Sequence, residues 1–137
     1  MTSANNTDVE VPVGIVWDDL DSNAKLRAHV WKVLRQRVLE WEERGAYWHD
    51  RAGECCAGID FDPFDDESDA FFLFKMWDDC LQLYKLEPGG DYMLTITCST
   101  QTIPGSVGQR APTVAQAMFR ATVHYLHKKR IKWRPSV

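Results

Sequence analysis

The sequence predicts an α+β fold, a small antiparallel sheet packed by helices, and three observations carry that expectation. Tyr92, Leu94, Ile96 and Cys98 alternate with Met93, Thr95 and Thr97, the period of two that belongs to a half-buried strand. Leu81, Leu83 and Leu86 alternate with Gln82, Tyr84, Lys85 and Glu87, and Pro88, Gly89, Gly90, Asp91 supply a hairpin-type connection, which makes the two strands antiparallel. Two long segments, Leu26 to Trp41 and Val114 to Leu126, instead carry their apolar residues at helical spacing.

Taken in order, residues 1–12 are rich in Asn, Thr, Asp and Glu and read as a flexible N-terminal segment. Val13 to Trp17 is a short apolar run that packs as a strand or as an extended arm. An N-terminal helix over about 22–43 begins after Asp21 or Ser22, either of which can accept a bond from an early backbone N–H. Its core-facing stripe is Leu26, Val30, Val33, Leu34, Val38 and Trp41, and Gly45 ends it. From Ala46 to Asp62 the apolar pairs Tyr47, Trp48 and Cys55, Cys56, then Ile59 and Phe61, read as two short strands or irregular segments separated by Gly53 and Gly58.

Pro63 followed by Asp65, Asp66, Glu67 and Ser68 reads as the start of a second helix over about 65–80, because carboxylates in a first turn satisfy orphan N–H groups and complement the dipole. That helix carries Ala70, Phe71, Leu73, Phe74, Trp77 and Leu81. This is more than a surface helix needs, so much of its girth is expected against a sheet. After the strand pair, Ile103 to Gly108 forms a Gly/Ser/Pro-containing loop and Gln109 to Ala111 a short strand. Pro112 then opens a C-terminal helix over about 112–130, where its missing N–H is harmless. Val114, Ala117, Met118, Ala121, Tyr125 and Leu126 share its buried side. The domain organisation is therefore a single α+β domain over 13–130 and a basic C-terminal tail over 131–137.

With 137 residues, 45% apolar, six Trp, six Phe and four Tyr, the chain has the payload of one compact core. No run approaches the roughly 20 apolar residues of a membrane span, and the polar start from Met1 to Asp8 lacks the regions of a signal peptide, so no membrane association and a cytoplasmic location are expected. Cys55, Cys56, Cys80 and Cys98 lack the regular spacing of a disulfide framework, which makes free thiols the default. Charge is uneven. Residues 1–79 hold 18 Asp/Glu against 8 Lys/Arg, whereas residues 80–137 hold 2 against 8, a polarity that can steer a charged partner or set up head-to-tail association.

Asp62, Pro63, Phe64 to Trp77, the strand pair about Gly89 and Gly90, and Ala111, Pro112, Thr113 leading into Val114 to Leu126 together resemble the phage ABA sandwich domain family, which includes the NinX-like phage accessory proteins. Residues 23 to 41 occupy the place of that family's N-terminal helix, so the resemblance covers about 20–127. It implies an α-β-α sandwich and a phage or prophage origin. It carries no active-site residues across. The long Gln101 to Gly108 loop and the basic residues after Lys128 depart from the family's pattern.

Several chemistries can be tested against spacing. If Asp60 opened a calcium loop, Asp65 would stand where Gly is needed and Phe71 where a bidentate Glu is needed, so no EF-hand is present. Adjacent Cys55 and Cys56 rarely present both sulfurs to one zinc, and His124 with His127, three apart on a helix, lack a matching Cys pair. Core thiols and surface imidazoles are the simpler expectation. Cys98 with His124 as a nucleophilic pair rests on chance numbers alone. Pro104, Gly105, Ser106, Val107, Gly108 lacks the Lys-Ser/Thr ending of a phosphate loop. No catalytic residue, metal site or cofactor is assigned.

Binding residues are easier to nominate. The acidic run Asp60, Asp62, Asp65, Asp66, Glu67 and Asp69, or alternatively Asp18, Asp19 and Asp21, is the candidate surface for a host or phage protein. The expected function is thus a non-enzymatic phage or prophage accessory protein acting by protein binding, inhibiting a host defence or nuclease complex in the host cell cytoplasm. One alternative is a nucleic-acid-associated protein using Lys128, Lys129, Arg130, Lys132, Trp133 and Arg134, the cations on phosphates and the indole on a base. Against it, basic side chains also suit a helix C-terminus, and Trp133 can fold back onto the domain. Another alternative is a small metal-dependent hydrolase or nuclease built on the acidic run. A homodimer would cover an exposed sheet edge.

Overall fold

The computed structural model describes residues 15–77, 81–85, 90–97 and 106–135. The expected flexible segment 1–12, the first residues of the Val13 run, Cys80, the Pro88 and Gly89 turn, Cys98, and residues 101–105 of the long loop lie outside these. The chain is α+β, with helices α1 (Trp17–Asp21), α2 (Ala24–Val33), α3 (Glu67–Met76) and α4 (Val114–Lys128) and two antiparallel sheets. One sheet joins β1 (Glu42–Arg44), β2 (Tyr47–His49) and β3 (Cys55–Gly58); the other joins β4 (Leu81–Lys85), β5 (Tyr92–Thr97) and β6 (Ser106–Ala111) in that order.

The period of two in β5 places Leu94 and Ile96 on one face with Gln109 and Ala111 of β6, and α4 lies across that face. α4 is buried nearly all round, from Val114 and Ala115 through His124 to Leu126, which marks it as a central helix. Its alanines, Ala115, Ala117 and Ala121, let neighbours approach on several sides. α2 and α3 pack against α4, and α1 against α2 and α4. The α-β-α layering expected from the resemblance is not confirmed by the described contacts, which run from the sheet through α4 to α2 and α3.

Helix ends differ from the sequence expectations for local reasons. Asn23, not Asp21 or Ser22, caps α2, its side chain accepting from the Leu26 N–H at 2.9 Å. Within the described part of the Val13 to Trp17 run, Val16 is extended, and Trp17 opens the short helix α1, with Asp18 and Asp19 in its first turn. α2 continues as a π-helical segment over Leu34–Leu39 and stops at Glu40, whose φ of 56° is left-handed. The N–H groups of Glu40 and Trp41 both return to the Arg35 carbonyl. The helix expected to reach residue 43 therefore ends at 39. Glu42–Arg44, good helix formers, are recruited into β1 by pairing with β2, tertiary context overriding propensity. Gly45, expected as a helix stop, is the first residue of the β1–β2 turn at φ 63°.

α3 is likewise shorter than the expected 65–80. Asp66 caps it by accepting from Asp69 N–H at 3.0 Å, Trp77 ends it, and Leu81 already belongs to β4. Pro112 precedes α4 instead of opening it; Thr113 is the cap, its hydroxyl accepting from Gln116 N–H at 3.1 Å. The helix closes two residues before the expected 130. Arg130 takes φ 58°, its N–H bonds to His127 O, and Ile131 N–H bonds to Leu126 O, which together form a Schellman motif.

Two devices tie the elements together. Trp31 of α2 meets Trp41, Phe61 and Phe64 at centroid distances of 5.8, 5.6 and 5.9 Å, and Phe64 meets Phe119 of α4 at 5.4 Å, so an aromatic nest joins α2, the approach to α3 and α4. Arg120 of α4 donates from Nε and Nη2 to the Asp21 carboxylate and from Nη1 to the Arg110 carbonyl at 2.8 Å. That fork clamps α1 and β6 onto α4.

Candidate functional site

α3 is more apolar than one buried stripe requires, and the excess faces outward. Ala70 and Leu73 are buried, whereas Phe71, Phe72 and Met76 are 43%, 45% and 37% exposed. The expectation that much of its girth lies against a sheet is corrected: α3 packs on α4 and leaves a face of Glu67, Ser68, Phe71, Phe72, Lys75 and Met76 open. Phe72 and Met76 are one turn apart and lie in line. Phe72 leans edge-on against Phe61 at 5.8 Å, which fixes its ring without covering it.

The six acidic residues named from the sequence lie around the start of this helix, but they do different things. Asp66 is the cap of α3. Asp62 accepts from the Phe64 N–H at 3.1 Å, and Asp69 accepts from the Asp62 N–H at 2.9 Å, so these two brace the turn. Glu67 accepts from the Ala115 N–H at 3.1 Å, satisfying an orphan donor in the first turn of α4. Burial, with a smaller push from Asp65 and Asp69, raises the Asp62 pKa above the ordinary carboxylate value despite the Phe64 N–H and the Arg27 charge. Asp65 and Asp60 face solvent, Asp65 only loosely paired with Arg27 at 3.8 Å. Of the earlier acidic group, Asp18 and Asp19 are exposed, while Asp21 is committed to Arg120.

Beside α3 lies a cleft of about 310 Å³ lined by apolar Leu39, Trp41, Leu73, Met76 and Trp77 and by acidic Asp50 and Glu54. Cys55 and Cys56 also line it. Cys55 is exposed and Cys56 half-buried, which corrects the expectation of core thiols. Burial first, and then the neighbouring Asp50, push the Cys56 thiol above its ordinary pKa, so it stays protonated and is a poor nucleophile. Across the small sheet, the Arg35 guanidinium lies 3.8 Å from the Trp48 ring centroid and 5.2 Å from that of Trp31. Burial lowers its pKa, partly offset by Glu43 and Asp62.

The histidines do not converge. His124 is buried with its Nδ1 2.8 Å from Gln109 Nε2, and His127 is exposed, which corrects the expectation of surface imidazoles for His124. Among the described residues no group of three or more His, Cys, Asp or Glu side chains is placed to hold a metal ion, and no helix is long and apolar enough to cross a membrane.

At the other end of the chain, Trp133 is 5% exposed and belongs to the core, so its indole is not open for stacking on a base. Lys128, Arg130, Lys132 and Arg134 are exposed and Lys129 half-buried. The chain matches no protein-family model, and comparison with curated proteins and with solved structures finds no match.

The outward side of α3, the Arg35–Trp48 stack and the Asp21–Arg120 clamp were all missed in the sequence. Only the first left a signal there: apolar residues at 70–74, 76 and 77 fill more of the helix circumference than one packed stripe can use.

Proposed function

We propose that this chain is a non-enzymatic accessory protein that acts by binding another protein through the outer face of α3 and the acidic turn leading into it. The observation that carries the proposal is the exposure of Phe71, Phe72 and Met76 on one helix face. Exposed large apolar side chains clustered on an ordered helix and rimmed by charge have the composition of an interface centre. Burying what remains exposed of each would contribute on the order of 1 kcal/mol, together about a hundredfold in affinity. Asp60 and Asp65, the solvent-facing carboxylates of the run that neither cap nor brace the turn, suit a partner whose apolar groove has a basic rim.

The enzymatic alternatives have less support. Asp62, Asp66, Glu67 and Asp69 are used as caps and braces, and the Cys56 thiol is held in its protonated form. The assignment to phage or prophage accessory proteins, and the action against a host defence or nuclease complex, rest on the sequence resemblance.

Affinity capture from a bacterial lysate tests the surface. One discrete protein should bind the native chain, fall by about thirtyfold with Phe71→Ser/Phe72→Ser, and become less salt-sensitive with Asp60→Asn/Asp65→Asn. Capture of nothing, or equal capture by all three proteins, would overturn the proposal.

A further inference from the structure

The basic segment that follows α4 is built into the fold. The Schellman motif turns the chain at Arg130, Ile131 packs against the core, and Trp133 enters it. Pinning these two apolar residues leaves their neighbours Arg130, Lys132 and Arg134 exposed on the same short stretch. With His127 and Ile15 they line an open groove of about 640 Å³, the range of sites that take small ligands or part of a larger one. The Arg134 guanidinium lies 4.7 Å from the Trp133 ring centroid, a stack that limits its freedom before any ligand arrives.

The charge here exceeds what the helix end can use. A helix C-terminus presents roughly half a negative charge, whereas residues 128–134 bring five Lys/Arg, and no Asp or Glu occurs after Asp91. Lys128, Arg130 and Arg134 form no ion pair among the described residues.

We infer that this groove is an anion site for phosphoryl groups, taking the phosphates of a nucleic-acid backbone or of a free nucleotide. The two guanidinium forks of Arg130 and Arg134 are suited to a phosphate, which accepts from several directions at once, better than to a single planar carboxylate. Because Trp133 is buried, bases are not stacked on it, and recognition rests on charge. Binding is therefore sequence-independent and strongly salt-dependent. The site is separate from the α3 face, and each stands or falls alone.

Fluorescence anisotropy with the full chain tests it, using a labelled single-stranded DNA of about 12 nucleotides and a labelled ATP, at about 20 and 200 mM salt. The discriminating variant is Arg130→Gly, since a residue at φ 58° is best served by glycine and the charge is removed without straining the backbone. Arg134→Ala is its companion, and Arg37→Gln, exposed on the π-helical segment, is the control. The DNA should bind at low salt with a logarithmic salt slope of about −2 to −3, as expected for three or four phosphates neutralised. R130G and R134A should each weaken binding several-fold and flatten the slope by about 0.7, with R37Q unchanged. ATP binding with the same sensitivity would identify a free nucleotide as a ligand; binding of DNA alone would identify the backbone. The inference is overturned if neither probe binds at low salt, if R130G and R134A bind as the native chain does, or if a poly-glutamate peptide binds more tightly than the DNA.

Discussion

Removing Arg120 should be the most costly single change on the charged surface of this protein. Its side chain is 14% exposed and that of Asp21 10%, so neither ion recovers full hydration when the other is lost. Breaking a buried pair by deleting one partner costs about 3–5 kcal/mol, and the residual water access here argues for the lower end, about 3 kcal/mol for Arg120→Met. The same change strips the Arg110 carbonyl of its Nη1 donor and removes the cation lying 5.9 Å from the Trp17 ring. A chain of this length loses about 3–4 °C in Tm per kcal/mol, so R120M should melt about 10 °C lower. The assay is a double-mutant cycle by urea unfolding with R120M, Asp21→Leu and the pair. The double variant should cost no more than R120M alone, because replacing both ions removes the uncompensated charge. Hydrogen exchange should quicken first in α1, which the clamp holds to α4. A loss below about 1 kcal/mol for R120M, or a double variant costing the sum of the singles, would refute the reasoning.

Three further outcomes follow from single groups. Arg130→Gly should stabilise the fold by about 0.5–1 kcal/mol in thermal unfolding, because it relieves a left-handed residue at the α4 terminus; a loss would mean that the Arg130 side chain contributes more than its backbone costs. Asp62→Asn should raise stability at pH 7. Burial raises the Asp62 pKa in the fold, so the folded state holds the proton more tightly and this group lowers stability as pH rises from the ordinary carboxylate value through the raised one. The Asn gain should therefore be full above that window and vanish in acid, and a gain independent of pH would contradict the assigned cause. Glu67→Ala should cost about 0.5–1 kcal/mol in urea unfolding by uncapping the Ala115 N–H, and no change would mean that this bond contributes nothing.

The legibility of the fold in the sequence follows the locality of the forces. β5 was readable because alternation and β-branched residues act residue by residue, and the start of α3 because Asp66 reaches only as far as Asp69. Glu42–Arg44 was not, since these residues become a strand only by pairing with Tyr47–His49. Trp41 was expected on a helical stripe and is buried for another reason, being carried into contact with Trp31 by the left-handed turn at Glu40. The acidic run was visible as a charge cluster, but the role of Glu67 in it depends on Ala115, which lies 48 residues away. For Phe71 and Phe72 the sequence carries hydrophobicity without direction. Which face of α3 meets α4 is a tertiary fact, and it leaves those two rings outside.

The central claim is that the exposed face of α3 is where a partner protein sits, and site-specific photocrosslinking in a bacterial cell tests it most directly. A photoreactive residue at Phe71, on that face, is compared with one at Arg37, also exposed, on the π-helical segment. The α3 surface predicts one discrete adduct from position 71, absent from position 37 and suppressed by Phe72→Ser. No adduct from position 71, or the same adduct from both positions, would contradict it.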